Sequence, residues 1–557
     1  MTSQSAGQSA GEAAGAFNLV VVGSGAAGLV AAITASQCGL RPLIIEKADG
    51  WGGTTATSGG VLWVPGNPVM VADGDVEDPA KVRRYVEGLL GEADARNLAK
   101  AHAFLETAPA MARMLAGEGI RWIRSRTHPD YYPHVDGTGI GRTLESAEFD
   151  GTALGERFAT MRGAALDVPA LSSDQFGTVA LAKSRLGPLV ETALTVGRYK
   201  LKRMLGKKPL GNGRALVAAL MQIVMARGIE LRLGTAMVEL VTDHGAVTGV
   251  VVERGGRRET LPAPAGVVLT AGGFSRNPAL RKQLQGRDQV WPNAIPEDTG
   301  DALAAGLAVG ADHERTDDSW WMPSIQIDDS ANALALGLRA LPGSIVVNAE
   351  GQRYMNEAAS YMTTGRVMFE HGAATSQHWL IMDGKFLNKY VFAELSQARV
   401  RAKMLKTGTL HQAPTIAALA QQCGLPTAAL EATVARFNAF AKAGRDEDFA
   451  RGDTAYDRHW ADPAHKPNAS LGALENGPFW AALIRPGDLG TNGGLKTDEN
   501  ARVLDTANKP ITGLYAAGNS ASSPFGRTYP GAGATIAAAA TFGHLAAIHA
   551  AKRYSNA

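Results

Sequence analysis

Short apolar runs alternate with helical patterns in the first part of the chain. Residues 19–22 read Leu-Val-Val-Val, an Ala-rich helical pattern covers 29–37, and residues 43–45 are again apolar. Apolar runs of this length without polar alternation are typical of strands buried on both faces of a parallel sheet. The pattern therefore predicts a β-α-β unit close to the start of the chain.

Further elements of both kinds follow this unit. They are helices over about 80–118 and 211–229, a loop over 127–150, and strands over 230–233, 236–242, 247–253 and from 266. Mixed strands and Ala-rich helices then run from about 320 to 485, after which glycine-rich strands return. We therefore predict an α/β fold, with a Rossmann-like domain built from both chain ends and an inserted α+β domain. The predicted divisions are a disordered tail at 1–16, the first part of the Rossmann-like domain at 17–320, the insertion at 321–487 and the second part at 488–557.

Composition excludes several classes of protein. The 557 residues are 45% hydrophobic and 19% charged with a net charge of +2, so we predict no nucleic-acid partner. Two cysteines exclude a four-cysteine iron–sulfur cluster and imply no disulfide framework, and no metal site is predicted. Residues 1–16 lack the features of a signal peptide, and no stretch approaches 18 consecutive apolar residues. We therefore expect a cytoplasmic protein without a transmembrane helix.

A glycine motif joins the first strand to the first helix. It reads Gly23-Ser24-Gly25-Ala-Ala27-Gly28. In a dinucleotide fingerprint the first glycine permits a tight turn, the second lets the backbone approach a pyrophosphate, and the third lets helix and strand pack closely. Glu46 ends the second strand 18 residues later, where an acid accepts hydrogen bonds from an adenosine ribose. A bound dinucleotide is predicted.

Two further segments suit a chain that passes close to a flat ring such as a flavin. Gly52-Gly53-Thr54-Thr55 and Ser58-Gly59-Gly60 offer bare backbone and small hydroxyl groups. Asp301 follows Thr299-Gly300 before a helical pattern. We expect Asp301 to cap that helix alone or also to hold a ribityl hydroxyl.

The segment from Gly513 to Ile536 carries the most specific signal. A strand ends at Gly518-Asn519, a loop contains Tyr529-Pro-Gly531-Ala-Gly533, and a small-residue helix follows to about 549. The start of that helix would present N–H groups and a positive dipole end to the pyrimidine edge of the flavin, which gains negative charge on reduction. Tyr529 is expected to face the substrate.

Residues 178–208 combine many basic residues with interleaved Leu and Val. The single acid is Glu191, and the basic residues are Lys183, Arg185, Arg198, Lys200, Lys202, Arg203, Lys207 and Lys208. This composition is typical of a helix on an anionic membrane surface. A solvated helical cover over the substrate domain has the same composition. Peripheral attachment to the inner face of the cell membrane and a soluble cover therefore both stay open.

The chain resembles the FAD-dependent 3-ketosteroid Δ1-dehydrogenases, within the fumarate-reductase-type flavoproteins, over nearly its whole length. The wider family explains the fingerprint, Gly52-Gly53-Thr54 and Ala516-Ala-Gly-Asn519. The narrower group explains Asp130-Tyr-Tyr-Pro133, Gly141-Arg142, Arg353-Tyr-Met-Asn-Glu357 with Tyr361, Pro486-Gly-Asp-Leu-Gly490 and Thr528-Tyr-Pro-Gly-Ala-Gly533. The Arg and His motif with which fumarate reductases handle a dicarboxylate is not found.

This resemblance implies non-covalently bound FAD and 1,2-desaturation of a 3-ketosteroid. The Tyr529 hydroxyl and the Gly533 N–H match the donors to the C3 ketone oxygen, and Tyr361 matches the base that removes the C2 proton. Tyr131, or alternatively Tyr132, would relay that proton, and a hydride would leave C1 for flavin N5. The implied FAD contacts are Gly23, Ser24, Gly25, Ala27, Gly28, Glu46, Lys47, Gly53, Thr54, Thr55, Ser58, Gly59, Gly60, Met237, Ala271, Gly272, Asp301, Gly518, Asn519, Gly531, Ala534, Thr535 and Ile536.

The electrons need an external acceptor, because the sequence has no nicotinamide fingerprint and no heme or iron–sulfur ligands. A quinone would suit a protein that sits on a membrane. Two alternatives stay open. One is another enzyme of the same fold, such as a Δ4-ketosteroid dehydrogenase or a fumarate-reductase-like enzyme. The other is a non-catalytic flavoprotein, or a membrane-surface scaffold, that binds a sterol-like ligand without converting it.

Overall fold

The structure is a computed structural model that describes residues 17–92, 94–163, 169–392 and 394–556. The tail predicted at 1–16 lies outside the described residues. The elements up to residue 160 are β1 (Leu19–Val22), α1 (Ala26–Gln37), β2 (Pro42–Ile45), α2 (Gly53–Thr57), β3 (Val61–Trp63), α3 (Pro68–Ala72), α4 (Pro79–Leu90), α5 (Ala95–Gly117), β4 (Trp122–Ser125), β5 (Thr143–Ser146), β6 (Phe149–Asp150) and a 3₁₀ segment at Gly151–Thr160.

The next part of the chain completes the first half of the nucleotide-binding domain. Its elements are α6 (Ser173–Ala180), α7 (Leu186–Met204), β7 (Pro209–Leu210), α8 (Asn212–Ala226), β8 (Glu230–Arg232), β9 (Ala236–Asp243), β10 (Ala246–Arg254), β11 (Arg257–Pro262), β12 (Gly266–Leu269), α9 (Pro278–Gln285), α10 (Asp301–Ala308) and β13 (His313–Glu314).

The remaining elements form the insertion and the chain's return. They are β14 (Ser319–Gln326), β15 (Asn332–Leu334), a 3₁₀ turn at Leu338–Ala340, β16 (Ser344–Val347), α11 (Tyr361–Glu370), β17 (His378–Met382), α12 (Phe386–Lys389), α13 (Ala398–Thr407), β18 (Leu410–Ala413), α14 (Ile416–Cys423), α15 (Thr427–Ala443), α16 (Ala455–His459), β19 (Phe479–Thr491), β20 (Gly494–Leu495), β21 (Arg502–Leu504), β22 (Pro510–Ala516), a 3₁₀ turn at Gly518–Ser520 and α17 (Ala534–Ser555).

The central sheet has the strand order β21-β22-β12-β1-β2-β8 and is parallel except for the edge strand β21. Strands from both chain ends meet in it, since Val267 of β12 lies opposite Leu514 of β22. All four residues of β1 are buried, as an apolar strand covered on both faces requires. The predicted α/β class is confirmed.

The insertion builds a second, antiparallel sheet. Its order is β15-β14-β19-β17-β16, and β18 also pairs with β19. The predicted divisions at 321 and 487 fall inside β14 and β19, which pair with each other along most of their length. These two strands therefore connect the insertion to the nucleotide-binding domain.

One part of the sequence interpretation was wrong. The loop predicted over 127–150 contains β5, which lies between β3 and β4 in a small antiparallel sheet. All four β5 residues, Thr143-Leu-Glu-Ser146, are buried. Buried polar residues on both strand faces hide the alternation on which a strand prediction depends.

Helix α17 is the only described helix that is long and apolar enough to cross a membrane by composition. Two thirds (67%) of its apolar 18-residue stretch is buried inside the protein, however. It packs closely on α1, because a Cβ at Gly543 would come 2.4 Å from the Ala27 carbonyl oxygen. Its apolar composition is therefore explained by core packing.

Candidate functional site

One cavity of about 790 Å³ connects the nucleotide-binding domain to the insertion. It begins at the carboxyl ends of β1, β2 and β12, which is where ligands bind in open parallel sheets. It continues past the C-terminal loop into a chamber lined by the insertion. We refer to the first part as the cofactor groove and to the second as the substrate chamber.

Most of the predicted cofactor residues line this cavity. They are Gly23, Ser24, Gly25, Ala27, Glu46, Lys47, Gly53, Thr54, Thr55, Ser58, Gly59, Gly60, Met237, Ala271, Gly272, Asp301, Gly518, Asn519, Thr535 and Ile536. Three others do not line it, and each is packed behind the surface of the groove: Gly28, Gly531 and Ala534.

The fingerprint glycines fit a backbone that must leave room for phosphates. Gly23 has φ +106°, and a Cβ there would come 2.5 Å from the Thr270 carbonyl oxygen. A Cβ at Gly25 would instead have no neighbour closer than 3.6 Å and would project into the groove. At Gly28 it would come 2.0 Å from the Gly23 carbonyl oxygen, so this position serves helix–strand packing. The cradle therefore has the shape that a dinucleotide needs.

Glu46 is held firmly at the end of β2. One carboxylate oxygen accepts hydrogen bonds from the Ser24 N–H (3.1 Å) and hydroxyl (2.7 Å), and the other accepts from the Ala48 N–H (3.0 Å). The acid is 8% exposed and lines the groove. Its orientation is thus fixed where a ribose acceptor is expected.

Asp301 does not cap its helix, because Gly300 (φ +91°) occupies the N-cap and Asp301 is the first residue of α10. Its carboxylate forms an ion pair with Lys47 (2.7 Å) and accepts a hydrogen bond from the Thr299 hydroxyl (2.7 Å). Lys47 directly follows Glu46. Asp301 therefore lies close to the residues expected at the adenosine end of the groove.

The C-terminal loop joins the groove to the chamber. Gly531 lies against the indole of Trp63, where a Cβ would come within 2.3 Å. Gly533 has φ +86° and is the N-cap of α17, and Gly533, Thr535 and Ile536 line the cavity, so the N-terminal end of this long helix borders it. The Asn519 amide oxygen accepts a hydrogen bond from the Trp320 indole (3.2 Å). A positive helix end thus lies at the junction.

Three tyrosines from three distant segments meet at this junction. The ring centroids of Tyr131 and Tyr361 are 5.1 Å apart, those of Tyr361 and Tyr529 are 5.2 Å apart, and those of Tyr131 and Tyr529 are 5.5 Å apart. Each residue is at most 4% exposed, and all three line the cavity. The structure therefore brings the predicted base, relay and ketone donor together.

Tyr132 points elsewhere. It does not line the cavity, and its hydroxyl accepts a hydrogen bond from the Tyr529 backbone N–H (3.3 Å). Between the two relay candidates, only Tyr131 has its ring against Tyr361. Tyr132 instead supports the loop that carries Tyr529.

A buried ion pair between Asp130 and Arg142 stabilises the loop that carries Tyr131. The Asp130 carboxylate accepts hydrogen bonds from Arg142, the Trp63 indole (2.8 Å) and the Gly139 N–H (2.9 Å). The Tyr131 N–H donates to the Pro530 carbonyl oxygen (3.0 Å), which ties this loop to the C-terminal one. The two motifs noted in the sequence thus hold each other in place.

Burial makes Tyr361 and Tyr131 poor proton acceptors in isolation. It raises the pKa of Tyr361 well above its ordinary value, and the neighbouring Tyr131 and Tyr529 add to this rise. Burial likewise raises the pKa of Tyr131, while a hydrogen bond with Tyr361 and the charge of Arg339 oppose the rise. A tyrosine that removes protons here needs help from its surroundings.

Sequence reasoning missed the walls of the chamber. Among them are Met322, Ile325, Leu336, Leu338, Leu341, Phe392 and Leu395 from the insertion, and the neighbouring pair His128 and His459, whose ring centroids are 4.4 Å apart. An apolar residue in a pattern indicates burial, but not whether it faces the core or a cavity. No signal in the sequence would have separated these residues from core residues.

The chain is similar to known flavoproteins over almost its whole length. The FAD binding domain family matches residues 18–536. The chain is 38% identical to the 3-oxosteroid 1-dehydrogenase of Mycobacterium tuberculosis, over 96% of this chain and 98% of that protein. It is 35% identical to a 4-oxocyclohex-2-ene-1-carboxylate 5-dehydrogenase of Sinomonas cyclohexanicum, over 95% of this chain and 93% of the relative.

A solved structure agrees with these matches. The 3-ketosteroid Δ1-dehydrogenase of Sterolibacterium denitrificans, in complex with 1,4-androstadiene-3,17-dione, superposes with a TM-score of 0.91. It shares 36% sequence identity and covers 97% of this chain and 100% of its own. The chain therefore belongs to the FAD binding domain family and, within it, to the 3-oxosteroid 1-dehydrogenases. It is an FAD-dependent oxidoreductase.

Proposed function

We propose that this enzyme introduces a double bond between C1 and C2 of 3-ketosteroids. The observation that carries the proposal is the tyrosine cluster at the junction of the cofactor groove and an apolar chamber. In this arrangement a proton acceptor and ketone donors would lie beside the end of a flavin-binding groove. When bound, FAD supplies the acceptor for the C1 hydride.

The chamber fits a large neutral substrate better than a small carboxylate. Its walls are mainly aliphatic and aromatic, and apolar walls recognise flat hydrocarbon rings by burial. Outside the cofactor groove its charged lining residues are Asp174, Glu394 and Arg458, among those that the structure describes. The Arg458 guanidinium already donates to the carbonyl oxygens of Gly452 (3.2 Å) and Asp453 (2.8 Å). The two acids would repel a carboxylate ligand, and the arginine already donates its hydrogen bonds to backbone oxygens.

Two donors would hold the ketone oxygen. The Tyr529 hydroxyl faces the cavity, where it lies 3.1 Å from the Thr535 hydroxyl, and the Gly533 N–H is at the positive end of α17. Together they stabilise the negative charge that develops on the C3 oxygen when the C2 proton leaves. This polarisation makes an otherwise weakly acidic C–H bond reactive.

Tyr361 would remove the C2 proton. It is the first residue of α11, with its ring against those of both Tyr131 and Tyr529. Ser360 caps this helix by accepting a hydrogen bond from the Thr363 N–H (3.3 Å), which fixes the backbone at Tyr361. The position of the base is therefore set by a helix end, which is more rigid than a free loop.

The test is a substrate panel with an artificial electron acceptor. It contains 3-ketosteroids with and without a C17 side chain, together with 4-oxocyclohexanecarboxylate. We expect steroids to lose two hydrogens by mass, with 4-en-3-one steroids giving the ultraviolet spectrum of a 1,4-dien-3-one and saturated 3-ketosteroids that of a 1-en-3-one. A product spectrum of Δ4 desaturation, or turnover of the small carboxylate alone, would contradict the proposal. Steroid binding without any mass loss would indicate a non-catalytic flavoprotein.

We further propose that α7 attaches the enzyme to the membrane surface. The exposed apolar residues Leu186, Val190, Leu194, Leu201 and Leu205 recur at helical spacing and form one stripe. Their exposed fractions, from 49% to 75%, are high for leucine and valine in a soluble domain. No residue of α7 is buried. Because basic residues accompany this stripe, an anionic bilayer fits it better than water does.

The position of α7 suits this proposal. Helix α6, on which α7 packs, lines the substrate chamber with Phe176, Gly177 and Thr178. A membrane at α7 would therefore lie beside the chamber, where substrates and quinones dissolved in lipid are concentrated. We accordingly propose a quinone as the electron acceptor and the inner face of the cell membrane as the location.

Vesicle co-sedimentation tests this attachment. Replacing Leu186, Leu194 and Leu205 by Ser should release the protein from anionic vesicles at moderate salt, because buried leucines supply the salt-resistant part of the binding. Replacing Arg254, Arg257 and Arg258 by Gln on the exposed β10–β11 hairpin provides the control and should leave binding unchanged. If the unmodified protein stays in the supernatant at low salt, α7 is a soluble cover.

A further inference from the structure

Arg339 is a buried cation beside the tyrosine cluster. It is 1% exposed and lies in the 3₁₀ turn Leu338–Ala340, whose neighbours Leu338 and Leu341 line the chamber. Its guanidinium donates to the carbonyl oxygens of Glu357 and of Ala359, the latter at 2.7 Å. Its Nε has no hydrogen-bond partner. Among the described residues, no carboxylate oxygen lies within 4.0 Å of it.

The nearby carboxylates are engaged by other cations. Glu357 forms ion pairs with Arg353 (2.8 Å) and Arg451 (3.1 Å), and Asp446 pairs with Arg353 (2.9 Å). Arg339 therefore keeps a charge that no direct ion pair neutralises. Burying an unpaired charge is costly, and a fold retains such a group where the charge has a use.

The charge of Arg339 acts on the tyrosines. It lowers the pKa of Tyr131 and of Tyr456, although burial, the larger effect, raises both. The Tyr456 ring is 4.9 Å from that of Tyr131, which in turn contacts Tyr361. The carbonyl groups that Arg339 binds lie two and four residues before Tyr361. Arg339 therefore holds the backbone that leads to the base through hydrogen bonds and acts on the relay tyrosine through its charge.

Other titratable groups near the cluster do not replace this charge. His128 stacks on Tyr131 with centroids 6.0 Å apart, but burial lowers its pKa to about 3 and keeps it neutral. Asp130 is paired with Arg142. Glu357 and Arg451, which also face Arg339, are paired with each other.

We propose that Arg339 is a positioning residue whose unpaired charge stabilises the tyrosinate form of the Tyr131–Tyr361 pair. The inference rests on the proposed desaturation. A phenol accepts a proton only after it has lost its own, so the pair must carry one negative charge before the reaction. The C2–H bond then breaks, its proton moves to the tyrosinate oxygen, and its electron pair enters the enolate held by Tyr529 and Gly533. Arg339 raises the population of the reactive form.

The test measures proton removal without hydride transfer. Holoenzyme whose flavin has been reduced beforehand cannot accept a hydride, so exchange of the substrate C2 hydrogens with D₂O reports the base alone. The exchange rate is followed against pH for the unmodified enzyme and for Arg339→Gln, Arg339→Met and Arg339→Lys. Flavin content and melting temperature identify the variants that fold.

In the neutral variants Arg339→Gln and Arg339→Met, we expect the midpoint of the pH profile to rise by about 1 unit. Exchange at neutral pH should then fall by roughly tenfold and recover at high pH. Arg339→Lys keeps a charge at a different distance and should show a smaller rise. It remains informative if both neutral variants fail to fold.

A purely structural role would give a different result. Variants that lose exchange at every pH with an unchanged midpoint, or that exchange like the unmodified enzyme, would overturn the inference. Failure of the proposed function is distinguishable, because the unmodified enzyme itself would then exchange no C2 hydrogen and would not convert the steroid.

Discussion

At the scale of residues, the proposed desaturation depends on three buried tyrosines to which we assign different roles. They share the same environment, yet only Tyr361 begins a capped helix, and only Tyr529 lies in the loop that leads to Gly533. The roles that we assign to the three tyrosines therefore differ because of their positions in the backbone and not because of their exposure. Single hydroxyl deletions separate these roles, because phenylalanine keeps the ring packing.

Tyr361→Phe removes the base and keeps the apolar wall. We expect steroid binding within about twofold of the unmodified enzyme, while flavin reduction by substrate slows by roughly two to four orders of magnitude. Stopped-flow absorbance measures reduction, and titration of the flavin spectrum measures binding. A reduction rate close to that of the unmodified enzyme would show that Tyr361 is only a wall.

Tyr529→Phe removes one donor to the ketone oxygen. The second donor, the Gly533 N–H, remains, so we expect a rate loss of roughly two to three orders of magnitude without complete inactivation. Tyr132→Phe serves as the control, because Tyr132 supports the same loop outside the cavity. Equal losses in the two variants would indicate that loop position, and not the hydroxyl of Tyr529, is responsible.

At the scale of elements, the sequence predicts helices, strands and turns that depend on neighbouring residues. It does not predict a cavity whose walls come from distant segments. The fingerprint turn, α1, β1 and β2 follow from neighbouring residues, because glycine backbone freedom and apolar runs are local properties. The substrate chamber draws its walls from segments more than 200 residues apart, such as His128 and Phe392. Its position therefore depends on tertiary packing. The Tyr131 and Tyr361 roles came from resemblance, since nothing local distinguishes them from wall residues.

Helix α5 carries a buried lysine whose contribution to the stability of the folded protein depends on pH. Lys100 is 1% exposed, and its amine donates to the carbonyl oxygen (2.9 Å) and hydroxyl (3.2 Å) of Ser522. Burial lowers the pKa of Lys100 to about 7 from 10.5, although the nearby Glu314 opposes this shift. Between these two values the unfolded chain binds more protons than the folded one, so the contribution of Lys100 to stability rises with pH.

Lys100→Met removes this dependence. Below pH 7 the folded enzyme bears the full cost of burying a charged amine, and near pH 10.5 that cost has vanished. We therefore expect the melting temperature of the variant, relative to the unmodified enzyme, to fall as pH rises from 7 to 10. Scanning calorimetry at several pH values measures this difference. A difference that stays constant with pH would contradict the assignment.

At the scale of the whole molecule, one cavity joins two domains that come from three chain segments. The FAD groove belongs to the sheet built from both ends, and the chamber belongs to the insertion. Neither cysteine lines the cavity, Cys38 being exposed and Cys423 buried elsewhere. We accordingly predict non-covalent FAD. Acid precipitation should release yellow flavin into the supernatant, whereas colour that remains with the precipitate would contradict this prediction.

The most direct test of the proposed desaturation is anaerobic mixing of the holoenzyme with a single equivalent of a 4-en-3-one steroid. The account predicts that the flavin absorbance bleaches and that the recovered steroid has lost two hydrogens as a 1,4-dien-3-one. The same mixing with Tyr361→Phe should leave the flavin oxidised on that time scale. Bound steroid that is recovered unchanged beside an oxidised flavin in the unmodified enzyme would contradict the account.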